Sequence, residues 1–198
     1  MYNQEGEAPG DPKPTNDRRM GGVSVDWRRA LTPKTQLGAS LLVNRVKFPD
    51  NPVENFDQVL ASVSWLQSFE RKGVPLLYLS AFASDDHAPN RLVPDEDVTK
   101  SKNLYGVRSY VQYSMSPTWH LFNGLALIHR VDKDPFARST TVEKGRDNYF
   151  EAVLGTTWQF RKRCGLRLQW MYSHNASNID IYDFNRNEVS STIRCDIF

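Results

Sequence analysis

The side chains best suited to catalysis lie close together near the end of the chain, at His174, Ser177, Asp180 and Asp183. A serine, a histidine and an acidic residue are the minimum set for a hydrolase, because the histidine can accept the serine proton while the carboxylate orients the imidazole. All four residues, however, fall in one polar segment in which Ser, Asn and Asp are ordinary loop residues. We therefore predict no catalytic residue, and a lipid hydrolase is the least favoured of three functional classes.

Acidic residues also surround a histidine farther upstream, where Asp85, Asp86 and His87 precede the acidic run 95–97. Oxygen-rich loops of this kind can bind Ca²⁺. The spacing matches no calcium-binding loop, and a solvated acidic loop is the better explanation. We predict neither a metal site nor a cofactor.

The segment 174–187 favours a structural arrangement over a catalytic one. Asp183 can accept a two-pronged contact from Arg186, and Tyr182 is their neighbour in sequence. We predict that Tyr182, Asp183 and Arg186 form a local network in a loop or at a rim.

Other polar side chains alternate with apolar ones in segments typical of β-strands. In a barrel the polar side of each strand lines the lumen, where its residues pair across strands, set the selectivity of a pore or fill it. The candidates for such a lining are Asp26, Arg28, Arg108, Gln112, Glu151, Gln159 and Arg167.

Nine segments have the alternation or the composition of strands. Most are about 9–11 residues long, the length that a tilted strand needs to cross a bilayer. The fourth and sixth are apolar or mixed on both sides, so the sequence does not assign their faces. The predicted strands are 22–30, 36–46, 58–69, 75–84, 104–114, 119–130, 149–160, 166–173 and 188–197.

The connections between these segments alternate between short turns and long loops. An outer-membrane barrel has this asymmetry, because its short turns face the periplasm and its long loops face outside. The predicted fold class is therefore all-β: an antiparallel up-and-down transmembrane β-barrel, of which about nine or ten strands are present. The alternative is a soluble core filled by the aromatic residues. The short joints are 31–36, 69–74, 114–118 and 160–165, and the long joints are 46–57, 85–103, 131–148 and 174–187.

The composition agrees with one such domain. The chain has 198 residues and a net charge of +2, so nothing in it indicates a nucleic-acid partner. No apolar run approaches the roughly 18–20 residues of a membrane helix, and the mean hydropathy of −0.57 suits a barrel in which only alternate strand residues are apolar. Residues 1–20 have no apolar core of a signal peptide. We predict a polar loop or linker over 1–20 and the barrel domain over 21–198.

An odd number of strands predicts an incomplete barrel. If the last strand ends in the periplasm, counting back through the joints places residues 1–20 outside the cell. Unpaired strand edges are prohibitively costly in lipid. We therefore expect these strands to be the C-terminal part of a larger barrel. The alternative is a further strand in the fourth or sixth region or within 1–20.

The chain has two cysteines. Cys164 lies just before the eighth predicted strand, and Cys195 lies near the end of the ninth. If these strands are antiparallel neighbours, Cys164 and Cys195 lie roughly opposite each other at the short-turn end. The periplasm permits disulfide bonds, so a bridge between them is one of two arrangements that the sequence leaves open. Two thiols with unsuitable separation or direction are the alternative.

The last third of the chain carries a longer pattern. Residues 177–189 follow the form Ser-Asn-x-x-x-Tyr-Asp-Phe-x-Arg-x-x-Val and lead into the last strand. This stretch resembles the C-terminal outer-membrane barrel of the surface lipoprotein assembly modifier (Slam-like) family and of related barrels that follow tetratricopeptide repeats. The turns at 29–35 and 113–119 are similar to those of the same proteins. The resemblance covers residues 18–198, although this sequence has no tetratricopeptide repeats.

The resemblance implies a function, a location and partners. It implies the membrane pore of a translocator that delivers lipoproteins or other substrates to the cell surface, in the bacterial outer membrane. The implied partners are outer-membrane lipid, the barrel-assembly machinery and a lipoprotein substrate. A passive structural or adhesive barrel is the main alternative to transport.

Overall fold

A computed structural model of the chain describes residues 18–48, 55–70, 73, 75–88, 101–135 and 144–195. Within these ranges the chain forms nine β-strands and one turn of 3₁₀ helix, Asp180–Tyr182. Among the described residues, no helix has the length and apolar composition needed to cross a membrane. The strands are β1 (Arg19–Thr32), β2 (Thr35–Lys47), β3 (Phe56–Ser68), β4 (Leu76–His87), β5 (Lys102–Ser116), β6 (Trp119–Pro135), β7 (Lys144–Arg161), β8 (Cys164–Ser177) and β9 (Phe184–Cys195).

All nine strands form one sheet in the order of the sequence, and every neighbouring pair is antiparallel. The prediction of nine antiparallel up-and-down strands is confirmed. The sheet is open, because β1 and β9 are its two edges and are not paired with each other. In a meander with an odd number of strands, these two edge strands run in the same direction.

The strands are longer than the sequence predicted. They contain between 12 and 18 residues, and the largest extensions are at the end of β6, which reaches Pro135, and at the start of β7, which begins at Lys144. Both extensions lie beside a long connection and are rich in polar and charged residues. The hydrogen-bonded parts of β6 and β7 therefore extend beyond the residues in which polar and apolar side chains alternate.

The two faces of the sheet have opposite chemistry. Directly paired residues of an antiparallel sheet project to the same side, so the register defines rows that cross all nine strands. One row, on the side that we call the apolar face, contains Trp27, Ala39, Val63, Ala81, Val107, Leu127, Phe150, His174 and Asn185. The adjacent row, on the side that we call the polar face, contains Arg28, Gly38, Ser64, Ser80, Arg108, Ala126, Glu151, Ser173 and Arg186.

In a water-soluble protein, apolar side chains are mostly buried and polar ones mostly exposed. In this sheet the apolar face is exposed, and the buried side chains lie on the polar face. Large side chains of the apolar face are exposed, for example Val63 at 59% and Leu127 at 54%. Polar side chains such as Asp86, Asp147 and Ser173 are buried on the polar face, and in the described part of the chain buried polar residues outnumber buried apolar residues by eight to four. Because the described strands form one sheet, these side chains bury one another, as on the concave side of a curled sheet.

Aromatic residues lie near the limits of an apolar band. Tyr105 and Tyr113 are eight residues apart on β5, and Phe150 and Trp158 are eight residues apart on β7, all on the apolar face. Eight strand residues span about 26 Å along the strand, and a tilt of about 35–45° reduces this to about 18–21 Å across the membrane, which fits within the roughly 25 Å band of membrane barrels. All five tryptophans lie on this face: Trp27, Trp65, Trp119, Trp158 and Trp170.

Beyond this band, towards the long connections, the apolar face becomes charged. Arg45 donates hydrogen bonds from Nε and Nη2 to the two carboxylate oxygens of Asp57, at 2.6 and 2.9 Å. Lys133 Nζ lies 2.6 Å from Asp85 Oδ1. The register places Arg45, Asp57 and Asp85 on the apolar face. The strands therefore continue past the apolar band into a charged zone.

Candidate functional site

The polar face holds the residues that the sequence proposed for a lumen. Arg28, Arg108 and Glu151 share one row of this face. Asp26, Gln112 and Arg167 occupy other rows on the same side. Gln159 follows Thr157 by two residues at the short-turn end, where both border one cavity with Arg167. The structure thus gathers all seven residues on one face but spreads them along its length.

An arginine stacks on an aromatic ring in the middle of the polar face. The guanidinium carbon of Arg108 lies 4.9 Å from the centre of the Phe82 ring. Phe82 is directly paired with Gly106 on the next strand, and a Cβ atom on that glycine would meet the ring. The glycine therefore leaves room for the ring, and the ring in turn attracts the cation.

The same arrangement occurs a second time, nearer the short turns. The guanidinium carbon of Arg167 lies 4.2 Å from the centre of the Phe122 ring, and Phe122 is paired with Gly155. Phe82 and Phe122 belong to β4 and β6, the two strands whose faces the sequence did not assign. Their aromatic side chains on the polar face removed the alternation that marks the other strands.

Replacing Gly155 by alanine is expected to destabilise the protein by about 1–3 kcal/mol, the usual range for overpacking. A Cβ atom at this position would meet the Phe122 ring and, at 2.7 Å, the carbonyl oxygen of Leu168. Gly124→Ala is a matched control on the same face, because its nearest neighbours would be 3.8 Å away. Urea unfolding of the two variants measures the difference, and equal stabilities would contradict the assigned role of Gly155.

Near the long connections, the polar face contains a hydrogen-bonded carboxylate. Asp86 Oδ1 accepts hydrogen bonds from Ser84 Oγ at 2.8 Å and from Gln58 Nε2 at 3.0 Å. Lys102 Nζ lies 3.9 Å from Asp86 Oδ2. The charge of this buried carboxylate is therefore balanced locally.

A second cluster lies beside it and is centred on Arg130. Arg130 donates from Nε and Nη2 to the two oxygens of Asp132 at 2.9 and 3.1 Å. Its Nη1 lies 3.3 Å from Asp147 Oδ2, and its guanidinium carbon is 5.9 Å from the centre of the Tyr182 ring. Arg130, Asp132 and Asp147 were not predicted as site residues, because only the register between β6 and β7 brings the three together. The spacing of Arg130 and Asp132, two residues apart on one strand face, is the available signal.

Tyr182, Asp183 and Arg186, which the sequence predicted to form one network, make contacts with several other residues in the structure. Tyr182, on the 3₁₀ turn, contacts Arg130 and accepts a hydrogen bond at its carbonyl from Asn175 Nδ2. The backbone N–H of Asp183 donates to the carbonyl of Asp180, and Arg186 forms its ion pair with Glu188. Arg186 belongs to β9, whose start at Phe184 carries it out of the loop and onto the polar face.

The catalytic candidates are not brought together. His174 is paired with Asn185 on the apolar face, whereas Ser177 is paired with Asp147 on the polar face. His174 Nδ1 lies 3.3 Å from the carbonyl oxygen of Phe184, and Ser177 Oγ accepts a hydrogen bond from the backbone N–H of Ile179. The two side chains therefore project from opposite sides of β8.

The acidic residues considered and set aside as calcium ligands can be placed only in part. Asp85 and Asp86 are adjacent on β4 and project to opposite faces of the sheet, while the acidic run 95–97 lies outside the described residues. The residues that the structure describes contain no group of three or more His, Cys, Asp or Glu side chains that could hold a metal ion.

The two cysteines are joined by a disulfide bond. Cys164 and Cys195 are directly paired in the register of β8 and β9, and their Cα atoms are 4.2 Å apart. The bond lies at the short-turn end of the sheet and ties the edge strand β9 to β8.

Comparison with known proteins adds no assignment. No family model, no curated protein sequence and no solved structure matches the chain. The resemblance to the Slam-like family therefore stays a prediction from the pattern at 177–189 and from the two turns. The geometry of the two faces is independent of it.

Proposed function

We propose that the nine strands form part of a transmembrane β-barrel in the bacterial outer membrane, with the apolar face towards lipid and the polar face towards the lumen. The observation that carries this proposal is the inverted exposure of the two faces. A water-soluble protein rarely exposes a continuous apolar surface of this extent. In a bilayer, the same surface is in contact with acyl chains while a polar lumen is retained.

Closing the barrel requires partners for the two edge strands. Unsatisfied backbone groups on β1 and β9 cost several kcal/mol each in lipid. Because β1 and β9 run in the same direction, antiparallel closure needs an odd number of additional strands between them. We propose that this sheet is part of such a larger barrel, inserted by the barrel-assembly machinery.

The proposed activity is transport of substrates to the cell surface. A polar face with charged residues along its length, from Arg167 near the short turns through Arg108 to Arg130 near the long connections, provides a hydrated path. The resemblance to the Slam-like family supports a lipoprotein as the substrate, and other surface-bound substrates fit the same chemistry.

A passive structural barrel is the second candidate, and one observation favours it. Arg108 lies over Phe82 and Arg167 lies over Phe122, so side chains that could form an open lining are packed against rings. If these pairs fill the lumen, the barrel anchors or adheres without transport.

Fractionation and electrical recording separate these candidates. The protein, expressed from its complete gene in a Gram-negative host, is expected in the outer-membrane fraction and to give stepwise currents in planar bilayers. Outer-membrane insertion without any current would favour the passive barrel. Recovery from the soluble periplasmic fraction would contradict both.

A further inference from the structure

A cavity of about 570 Å³ opens on the polar face at the short-turn end of β6, β7, β8 and β9. Arg163, in the turn between β7 and β8, and Arg194, near the end of β9, border it. None of the described residues that line the cavity is acidic. Its lining also includes a row of directly paired residues, one from each of the four strands: His120, Thr157, Arg167 and Thr192.

Two of the three arginines have hydrogen-bond donors that no protein group uses. Arg167 lies over the Phe122 ring, and its Nε donates to Gln169 Oε1 at 3.2 Å. Within the described part of the chain, its two terminal nitrogens make no hydrogen bond or ion pair, and neither does the side chain of Arg163. Both arginines are exposed, so a molecule in the cavity can reach their guanidinium groups. The ring contact restricts Arg167, which lowers the entropy cost of binding.

A glycine keeps part of this cavity open. Gly165 is directly paired with Arg194 and borders the cavity. The nearest neighbour of a Cβ atom on Gly165 would be the carbonyl oxygen of Trp158, at 3.7 Å, which is an ordinary contact. The space beside Gly155, in contrast, is filled by the Phe122 ring. Packing therefore does not require a glycine at position 165, and any larger side chain there would occupy part of the cavity.

The positive charge of this end of the sheet remains when the neighbouring undescribed residues are counted. The turn 161–163 has three cationic side chains, and the other two arginines of the cavity bring the number to five. Residues 196–198, which lie outside the described residues, add one acidic side chain, Asp196, and a carboxylate at the chain end would make two anions. In the β3–β4 joint Glu70 is paired with Lys34, and the undescribed residues of that joint are two basic residues and a valine. The cavity therefore favours an anion.

We propose that the cavity binds a phosphate group, supplied either by a small soluble phosphate or by the headgroup of an anionic lipid. Arg163 and Arg167 donate N–H hydrogen bonds to the phosphate oxygens, and Thr157 and Thr192 donate their hydroxyl groups. Guanidinium groups match the geometry of phosphate, and donors from several strands suit a tetrahedral dianion better than a planar carboxylate. This inference goes beyond the proposed transport function and does not depend on it, because neighbouring strands of the sheet form the cavity.

Calorimetric titration of the full-length protein in a non-ionic detergent with inorganic phosphate, at constant ionic strength, tests the proposal. Acetate is the comparison anion. Phosphate is expected to bind saturably, at one site per chain, and at least about tenfold more tightly than acetate. A parallel titration with dihexanoyl phosphatidate identifies the source. Tighter binding than that of inorganic phosphate assigns the site to a lipid headgroup, and weaker binding assigns it to a soluble phosphate.

Arg167→Met is expected to weaken phosphate binding by at least about tenfold, because a hydrogen-bonded charge is lost. Arg108→Met is the matched control. Arg108 lies over Phe82 as Arg167 lies over Phe122, but it does not border this cavity. The control is therefore expected to bind phosphate as the unaltered protein does.

A second variant keeps the test decisive if Arg167→Met does not fold. Gly165→Leu places a side chain in the cavity without removing a charge, and a Cβ atom fits at this position. We expect this variant to lose phosphate binding. The proposal would be overturned by the absence of saturable binding, by equal affinities for phosphate and acetate, by an equal loss in Arg108→Met, or by full binding in folded Arg167→Met or Gly165→Leu.

Discussion

Replacing Arg130 by methionine is expected to lower the free energy of unfolding by about 3–5 kcal/mol, because two buried carboxylates then lose their cation. The side chains of Asp132 and Asp147 are 9% and 10% exposed, respectively. Methionine has an unbranched side chain that fills much of the same space. The loss of stability is therefore caused mainly by the removal of the positive charge. Equilibrium urea unfolding, followed by tryptophan fluorescence, measures it.

The chain contains a matched control for this experiment. Arg45 makes the same two-pronged contact with Asp57 as Arg130 makes with Asp132, but its side chain is 64% exposed and that of Asp57 is 39% exposed. Arg45→Met is expected to change stability little, because exposed ion pairs contribute little. Equal losses of stability in Arg130→Met and Arg45→Met would contradict the claim that burial makes the Arg130 ion pairs more stabilising than the exposed Arg45 pair.

Replacing Val63 by arginine is expected to destabilise the membrane-inserted protein by about 2–4 kcal/mol, the cost of a cation on the lipid-facing side of a barrel near the midplane. Val63 lies in the middle of β3 on the apolar face, and it is 59% exposed. On a surface that faced water, the same substitution would change stability by no more than about 0.5 kcal/mol. Urea unfolding from phospholipid vesicles distinguishes the two values.

Ile181→Arg is the control for the second experiment. Ile181 is also apolar and 73% exposed, but it lies on the 3₁₀ turn, outside the strands. We expect this change to be within about 0.5 kcal/mol of the unaltered protein. If Val63→Arg were equally mild, the apolar face would not be in contact with lipid.

Much of the fold follows directly from the sequence. In β8, Leu166, Leu168, Trp170 and Tyr172 alternate with polar residues, and the structure places all four on the apolar face. The number of strands and their order were predicted from this alternation and from the turn residues. Both signals are local, since each depends on residues within one strand or one turn.

The remaining features depend on pairing between strands, which a single sequence does not display. Phe82 and Phe122 lie on the polar face because each ring covers a glycine on the neighbouring strand. Arg130 reaches Asp147 only because the register places them opposite each other. Arg186 was assigned to a loop network because the start of β9, at Phe184, carries no alternating pattern.

Quenching of tryptophan fluorescence by lipids tests most directly the central claim that the apolar face contacts a membrane. All five tryptophans project from this face, including Trp65 on β3 and Trp170 on β8. In vesicles of lipid with brominated acyl chains, most of the fluorescence is expected to be lost relative to unbrominated vesicles, while aqueous acrylamide has little effect. Strong quenching by acrylamide, without quenching by the brominated lipid, would contradict the claim.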